Sequence, residues 1–381
     1  MTDLERILPL WHELEMAMTD YVLATVVATE GSSYRKPGAR MLLAQDGRRA
    51  GTISGGCLEA EVARRAWWLT GSGPVVERYS TADDDGDMPF GSGCGGVVHL
   101  LLERKVTAAP LLRALEAAFV ARTPVAIATV LDGSHIGTRG VAYASIDSAQ
   151  LPEDASSNVG GELQRLSGIA LENRLSFEQA ISVDGSRMGV WVDYRAARPG
   201  LWIFGAGDDA VPLLTLAQEL GWFVAVADGR SHLATRERFS PANKVRVLQI
   251  FDLPDATRNN LSLRPSDAAV VMTHSFEQDS RILASLLSLG FPLAYLGVLG
   301  PQRRTRELLG EAARLLHLPD TTERVERWLA QMHSPTGLDL GADTPASIAL
   351  SILAEIQKAL TAATGRPLRE VRAANDIVAQ Q

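Results

Sequence analysis

Short apolar segments alternate with helical patterns throughout the second half of the chain, and this alternation constrains the fold more than any other feature. Five segments have the length and composition of buried strands: 201–204, 223–227, 245–250, 268–273 and 293–296. Parallel strands need a long crossover connection, which is usually a helix. The sequence therefore predicts a doubly wound parallel sheet in a C-terminal domain at residues 199–345.

A glycine motif follows the first of these strands. Residues 205–210 read Gly-Ala-Gly-Asp-Asp-Ala and open a helical pattern. They match G-x-G-x-x-A, in which glycines allow a tight turn and a close backbone approach to a pyrophosphate. Asp228 ends the next strand, about 20 residues on, where a ribose-binding acid is expected. The combination predicts a Rossmann-like domain, with Gly205, Gly207 and Asp228 as candidate cofactor contacts.

Two acids inside the motif argue against a nucleotide in the usual pose. Asp208 and Asp209 lie where free N–H groups and the helix dipole would hold a pyrophosphate. Carboxylates there would satisfy those groups themselves and repel an anion. Two interpretations stay open: NAD(P) bound at this loop, or a Rossmann-like domain whose own acids cap the helix.

Further candidates lie at the ends of the later strands, which face the same crevice in an open α/β sheet. His274 follows the strand 268–273. Gly297 and Gly300 lead into Arg303, and such a segment suits either an anion or a tight turn before a solvated basic helix.

The first half of the chain predicts a mixed α+β domain at residues 1–198, and residues 346–381 are assigned to a C-terminal helix and tail. Ala-Thr-Val occurs at 24–26 and again at 128–130, which suggests two similar strand–loop–strand units in one mixed sheet. Residues 152–161 have the composition of a flexible excursion.

The two cysteines both lie in glycine-rich segments. Cys57 follows Gly55 and Gly56, and Cys94 is flanked by Gly93 and Gly95. A thiol at a helix N-terminus has a lowered pKa, which favours the thiolate that attacks or ligates. Inert thiols in turns that need glycine are the alternative. Arg35 and Lys36 lie in a third glycine loop, which suits an anionic ligand or a solvated hairpin equally.

Composition excludes several classes of function. The formal net charge is −8, which disfavours a nucleic-acid surface. The sequence has no run of apolar residues long enough for a membrane helix, and the first residues are acidic where a signal peptide is basic. Two cysteines are too few for a disulfide framework. We therefore expect a cytoplasmic protein.

Taken together, these segments resemble the XdhC/CoxI family of xanthine dehydrogenase accessory proteins. The N-terminal resemblance rests on Gly31-Ser32, Gly38 to Leu42, Ser54-Gly55-Gly56-Cys57-Leu58-Glu59 and Gly93-Cys94-Gly95-Gly96. The C-terminal resemblance rests on Phe204 to Gly207, Asp228-Gly229-Arg230, Thr273-His274, Gly297 to Gly300 and Pro335 to Asp339. The chain departs from the family pattern at Asp208, Ser275 and Tyr34, where many members carry His, Asp and Pro.

The resemblance implies a chaperone that binds molybdenum cofactor, supports its sulfuration and delivers it to a molybdenum hydroxylase apoenzyme. It also implies a cysteine desulfurase partner and a homodimer. On this hypothesis Cys57 is the primary thiol and a contact for molybdenum or sulfur, Cys94 is the second thiol, and Arg35 and Lys36 bind phosphate. The crevice with His274, Asp228 and Arg303 would be a second ligand or regulatory site.

Two other hypotheses remain. The chain would be an NAD(P)-dependent oxidoreductase if its Rossmann-like domain bound a dinucleotide tightly. It would be a scaffold if it bound neither cofactor nor nucleotide. On the chaperone hypothesis the protein is non-catalytic or weakly catalytic.

Overall fold

The computed structural model describes residues 3–31, 33–56, 58–80, 96–144, 158–240, 242–247 and 261–371. The chain divides into two compact units, residues 1–198 and 199–381. No helix in the described ranges is both long and apolar enough to cross a membrane.

The first unit combines antiparallel strands with helices. Its helices are α1 (Asp3–Met16), α2 (Glu59–Leu69), α3 (Lys105–Ala121) and α4 (Asn158–Asn173). The first five strands are β1 (Tyr21–Glu30), β2 (Arg40–Ala44), β3 (Arg49–Gly51), β4 (Val75–Ser80) and β5 (Val97–Arg104). They form an antiparallel sheet in the order β3-β2-β1-β5-β4.

A second antiparallel sheet completes this unit. Its strands are β6 (Val125–Val130), β7 (Arg139–Tyr143), β8 (Phe177–Val183) and β9 (Ser186–Arg195), in the order β7-β6-β9-β8. The prediction that the two Ala-Thr-Val segments lie in one mixed sheet is therefore wrong. The first lies in β1 and the second in β6, because helix α3 carries the chain away from the first sheet before β6 begins.

Alternate faces of the strands explain where each helix packs. Tyr21 and Leu23 of β1 join α1 and α3 in one core, whereas Val22 and Ala24 join α2 in another. Helix α4 covers the second sheet. The predicted flexible excursion at 152–161 is wrong at its C-terminal end, since α4 begins at Asn158; residues 145–157 lie outside the described ranges.

Buried ion pairs connect the two sheets of the first unit. Arg40 on β2 donates from Nη2 to Oδ2 of Asp193 on β9 at 2.8 Å, and both side chains are almost fully buried. Arg195 donates to the same carboxylate oxygen. Arg139 on β7 pairs with the fully buried Glu103 on β5 at 2.5 Å. Two unlike sheets are thus joined by charge as well as by apolar packing.

The second unit contains the predicted parallel sheet. Its strands are β10 (Gly200–Phe204), β11 (Phe223–Asp228), β12 (Lys244–Val247), β13 (Asp267–Val271) and β14 (Tyr295–Val298). Its described helices are α5 (Ala210–Glu219), α6 (Phe276–Leu287), α7 (Gln302–Leu315), α8 (Thr322–Leu329) and α9 (Pro345–Thr361). The strand order is β12-β11-β10-β13-β14, and every pairing is parallel.

Helices cover both faces of this parallel sheet. Leu201 and Ile203 of β10 pack with α5 and α9, whereas Trp202 and Phe204 of the same strand pack with α6, α7 and α8. Strands buried on both faces are the reason for the continuous apolar runs in the sequence. The predicted fold class, an α+β domain followed by a Rossmann-like doubly wound domain, is confirmed.

The buried pair between Arg40 and Asp193 gives a test of this architecture. Asp193→Asn would leave the Arg40 guanidinium buried without its counter-charge. We expect the free energy of unfolding to fall by about 3–5 kcal/mol, measured by guanidinium denaturation followed by circular dichroism.

Asp46→Asn serves as the matched control, because the pair of Asp46 with Arg48 is about half exposed. We expect this variant to change the free energy of unfolding by about 1 kcal/mol or less. Equal effects of the two substitutions would show that the buried pair does not join the sheets as described.

Candidate functional site

Three segments predicted to be functional leave the first sheet at the same end. Strand β1 ends at Glu30, which pairs with Val97 at the start of β5. Strand β3 ends at Gly51, which pairs with Met41 near the start of β2. We call residues 31, 33–39, 52–56, 58 and 96 the glycine end of the sheet. Sheet topology alone brings these segments, which are distant in sequence, to one place.

A buried carboxylate shapes the segment before α2. Glu59 is 4% exposed, and its Oε1 accepts the N–H groups of Ile53 and Ser54 at 3.2 and 2.9 Å. Its Oε2 accepts the Ser54 hydroxyl. Ser54 Oγ in turn accepts the N–H groups of Gly56 and Leu58, both at 3.1 Å. The backbone on either side of position 57 is therefore fixed by one serine and one glutamate.

These hydrogen bonds also set the ionisation of Glu59. Burial by itself would raise the pKa of this carboxyl group, but the hydrogen bonds from Ser54 and from the backbone outweigh it and hold the pKa below its ordinary value. Glu59 is consequently a carboxylate at neutral pH.

An exposed aromatic ring borders the two glycines of this segment. Gly56 has φ +118°, a conformation that residues other than glycine rarely adopt. A Cβ built on Gly55 would lie 3.7 Å from the ring of Tyr34, so this ring lies against the glycine backbone. Tyr34 is 74% exposed, which leaves ring surface open to a ligand.

The two predicted phosphate contacts differ in their surroundings. Arg35 forms an ion pair with Asp3 of α1. Lys36 is exposed and has no ion-pair partner among the residues that the structure describes. Lys36 is thus the cation that is ready for an anionic ligand, whereas Arg35 would have to exchange Asp3 for one.

Cys57 and Cys94 themselves lie outside the described residues. Their nearest described neighbours, Gly56, Leu58 and Gly96, belong to the glycine end. Across the described ranges, no group of three or more His, Cys, Asp or Glu side chains has an arrangement that would hold a metal ion.

In the second unit the predicted glycine motif forms the turn between β10 and α5. Gly205 has φ +139°, and a Cβ there would lie 2.5 Å from the carbonyl oxygen of Met272. Glycine is thus required by the close approach of the segment that follows β13. The placement of the motif agrees with the sequence pattern.

Asp228 lies at the expected position but is fully committed within the protein. It is 0% exposed, and its Oδ2 accepts the N–H of Ala206 at 2.7 Å. Arg230 donates to both of its oxygens, from Nε at 3.0 Å and from Nη2 at 2.7 Å. Burial alone would raise the pKa of Asp228, yet the hydrogen bonds from Arg230 and Ala206 lower it. This ionised carboxylate presents no free oxygen to a ribose.

The interpretation that Asp208 and Asp209 cap helix α5 is wrong. Asp209 is at the N-cap position but its side chain accepts no hydrogen bond from the helix backbone. Instead its Oδ2 lies 2.8 Å from Nε2 of His274. Asp208 accepts a hydrogen bond from Nη2 of Arg238 at 2.6 Å. Each acid therefore pairs with a side chain, Asp208 with the Arg238 guanidinium and Asp209 with the His274 imidazole.

The remaining crevice candidates are brought only partly together. His274 follows β13 with φ +62° and faces the glycine motif through Asp209. Arg303 lies on α7, exposed and without an ion-pair partner in the described ranges. Gly297 lies inside β14, where a Cβ would be 2.5 Å from Thr336 Oγ1. The absence of a side chain at Gly297 therefore makes room for the segment that contains Thr336. Gly300 has φ +106° in the turn before α7.

Sequence reasoning did not assign roles to several residues that organise these sites. Ser54 and Glu59 fix the backbone around position 57, and Arg238 pairs with Asp208 of the glycine motif. Ser54 and Glu59 are five residues apart, which is not the three-residue spacing of a capping box, so no established local motif marks their contact. No local signal marks Arg238, because its partner is 30 residues away.

Comparison with known proteins finds a matching family model in each of the two units. Residues 16–80 match the model of the XdhC and CoxI family, and residues 201–356 match the model of the XdhC Rossmann domain. The chain is 32% identical over 341 residues to a probable xanthine dehydrogenase subunit from Bacillus subtilis, covering 88% of this chain and 92% of that protein.

Two further relatives extend this comparison. The molybdenum cofactor insertion chaperone PaoD of Escherichia coli is 40% identical over 95 residues, which are 25% of this chain and 29% of PaoD. The crystal structure of a xanthine dehydrogenase from Bacillus halodurans has a TM-score of 0.70 and 28% identity, with 95% of this chain and 96% of that chain covered.

The role of Glu59 in shaping its segment can be tested by Glu59→Gln. The amide cannot reproduce a charged acceptor for two N–H groups and a hydroxyl, so we expect the free energy of unfolding to fall by about 1–3 kcal/mol at pH 7. Glu61→Gln on the same helix is the control, since the Glu61 ion pairs in the described ranges are those with Arg64 and Arg65 at the surface.

The pH dependence of the same variant tests the ionisation of Glu59. Because its folded pKa lies below the ordinary value of 4.5, Glu59 stabilises the fold above that pH and ceases to do so as the pH falls through the folded pKa. The difference in unfolding free energy between wild type and Glu59→Gln should therefore be largest near neutrality and shrink in acid. A difference that stays constant between pH 7 and 3 would contradict a carboxylate at this position.

Proposed function

The chain belongs to the XdhC and CoxI family, and from that premise we propose that it is a maturation factor for a molybdenum hydroxylase of the xanthine dehydrogenase or CO dehydrogenase type. It binds molybdenum cofactor as cargo, supports its sulfuration and inserts it into the apoenzyme. The likeness to a molybdenum cofactor insertion chaperone supports this role.

The observation that carries the proposal is the meeting of the three glycine segments at one end of the first sheet. On this proposal Cys57 is the primary thiol and Cys94 the second, and both act on the cargo at the glycine end. Thiolate is a soft ligand, which suits molybdenum and sulfur chemistry better than oxygen donors do. Gly55 and Gly56 allow the cargo to approach the backbone.

Other residues of the glycine end suit the organic part of the cargo. Lys36 neutralises the pterin phosphate, and Arg35 contributes when it leaves Asp3. The exposed ring of Tyr34 offers a face on which a flat heterocycle stacks. These residues therefore supply charge and stacking, while the thiols supply the contact with the metal or with sulfur.

The partners follow from the same proposal. A cysteine desulfurase supplies sulfur while the cofactor is held, and the apo-hydroxylase receives the finished cofactor. We propose a homodimer that works in the cytoplasm, with the crevice at Gly205, Gly207, Asp228, His274, Gly297, Gly300 and Arg303 as a second ligand or regulatory site. NAD(P) chemistry draws no support from this crevice, because Asp228 has both oxygens engaged.

The test is to incubate the purified protein anaerobically with molybdenum cofactor, separate free cofactor by gel filtration, and measure molybdenum in the protein peak. Wild type should carry stoichiometric molybdenum. Cys57→Ala should lose about tenfold or more in affinity. Lys36→Ala should weaken binding less, because it removes one exposed charge contact.

Thr361→Ala at the exposed end of α9 is the control and should bind as wild type does. Stoichiometric molybdenum on Cys57→Ala would show that the Cys57 thiol is not needed to hold the cofactor. No molybdenum on the wild type would refute cofactor binding itself, and saturable NADH binding in the micromolar range would then favour the oxidoreductase hypothesis.

A further inference from the structure

The Rossmann-like crevice contains a hydrogen-bonded pair of side chains at the point where the strand order reverses. In the order β12-β11-β10-β13-β14, the loops after β10 and β13 leave the sheet side by side and run to helices on opposite faces. Ligands of open α/β sheets bind at this position. Asp209 of the first loop and His274 of the second are joined here, with 2.8 Å between Oδ2 and Nε2. A carboxylate of the protein therefore already lies at the switch point.

The surroundings of Asp209 are those of an anion site. The backbone N–H groups of Gly207, Asp208 and Asp209 donate to no acceptor within the described ranges, so they remain available at the loop. Arg230 donates to the carbonyl oxygen of Thr273, the residue before His274, which places a guanidinium beside the pair. A histidine, an arginine and unpaired amides are groups that bind phosphate.

We propose that Asp209 is a specificity-determining residue, an internal anion that excludes nucleotide diphosphates from this crevice. Its charge lies against His274, in the position that a diphosphate would need, and two like charges at contact distance repel strongly where solvent is partly excluded. Its side chain is only 25% exposed, so water screens this charge incompletely. Selectivity of this kind depends on a repulsive element rather than on a missing pocket.

Asp208 does not have this effect, although it is adjacent and carries the same charge. Its side chain is fully exposed and pairs with Arg238, which also donates to the carbonyl oxygen of Ala206. Bulk water and Arg238 both reduce its influence on a ligand in the crevice. The two neighbouring acids therefore form a matched pair for a test. Each can lose one negative charge, but only Asp209 is partly buried and pairs with His274.

The test compares Asp209→Asn with Asp208→Asn in the full-length protein, using calorimetric titration with ADP and with adenosine. Asn at 209 retains an oxygen that accepts from His274 while it removes the charge. ADP affinity should rise by about tenfold or more in Asp209→Asn relative to wild type, and by less than about twofold in Asp208→Asn. Adenosine, which has no phosphate, should bind all three proteins equally.

A second variant identifies the groups that bind the phosphates. His274→Ala in the Asp209→Asn background should reverse the gain in ADP affinity, with the fold checked by circular dichroism. Should Asp209→Asn perturb the fold, Asp209→Ser gives the same comparison with a smaller side chain. Equal gains in the two single variants, equal gains for ADP and adenosine, or ADP binding by wild type as tight as by Asp209→Asn would each overturn the proposal. Absence of ADP binding in a folded Asp209→Asn would overturn it as well.

Discussion

Buried or half-buried carboxylates that accept backbone N–H groups hold the glycine-rich loops of this protein in place. Glu59 accepts two N–H groups before α2, Asp228 accepts that of Ala206, and Glu355 on α9 accepts that of Gly337 at 2.7 Å. Glycine loops have high conformational entropy when unfolded, so a loop of this type needs a strong acceptor to adopt one conformation. In all three cases the hydrogen bonds keep the pKa of the carboxyl group low despite burial.

This arrangement limits what the loops can do chemically. An N–H group that donates to a buried carboxylate is not available to a ligand, so anion binding depends on side-chain cations and on the amides that remain. At the glycine end of the first unit Lys36 is an exposed cation, and the candidate anion-binding side chains of the crevice are His274, Arg230 and Arg303. A glycine motif of this type therefore does not by itself show that its usual ligand binds.

Several features were predictable because they depend on local sequence. The five parallel strands, the glycine turn after β10 and the helix start at Thr344-Pro345 each follow from periodicity or from residues with restricted backbone conformations. The family resemblance was likewise carried by short motifs. These motifs could not indicate that the Asp228 carboxylate is buried and fully hydrogen-bonded, because its contacts with Arg230 and Ala206 form only in the folded chain.

Sequence by itself determined the fold class and the position of the Rossmann-like sheet, and it supplied the segments predicted to carry function, because hydrophobic period and glycine placement are local properties. Only the tertiary structure decided that the two Ala-Thr-Val segments belong to separate sheets, that Arg40 meets Asp193, and that three glycine segments share one sheet end. It also decided that Asp209 pairs with His274 while Asp208 pairs with Arg238. These outcomes depend on partners tens of residues away, and the energy of a charge depends on its burial and neighbours, which no local pattern encodes.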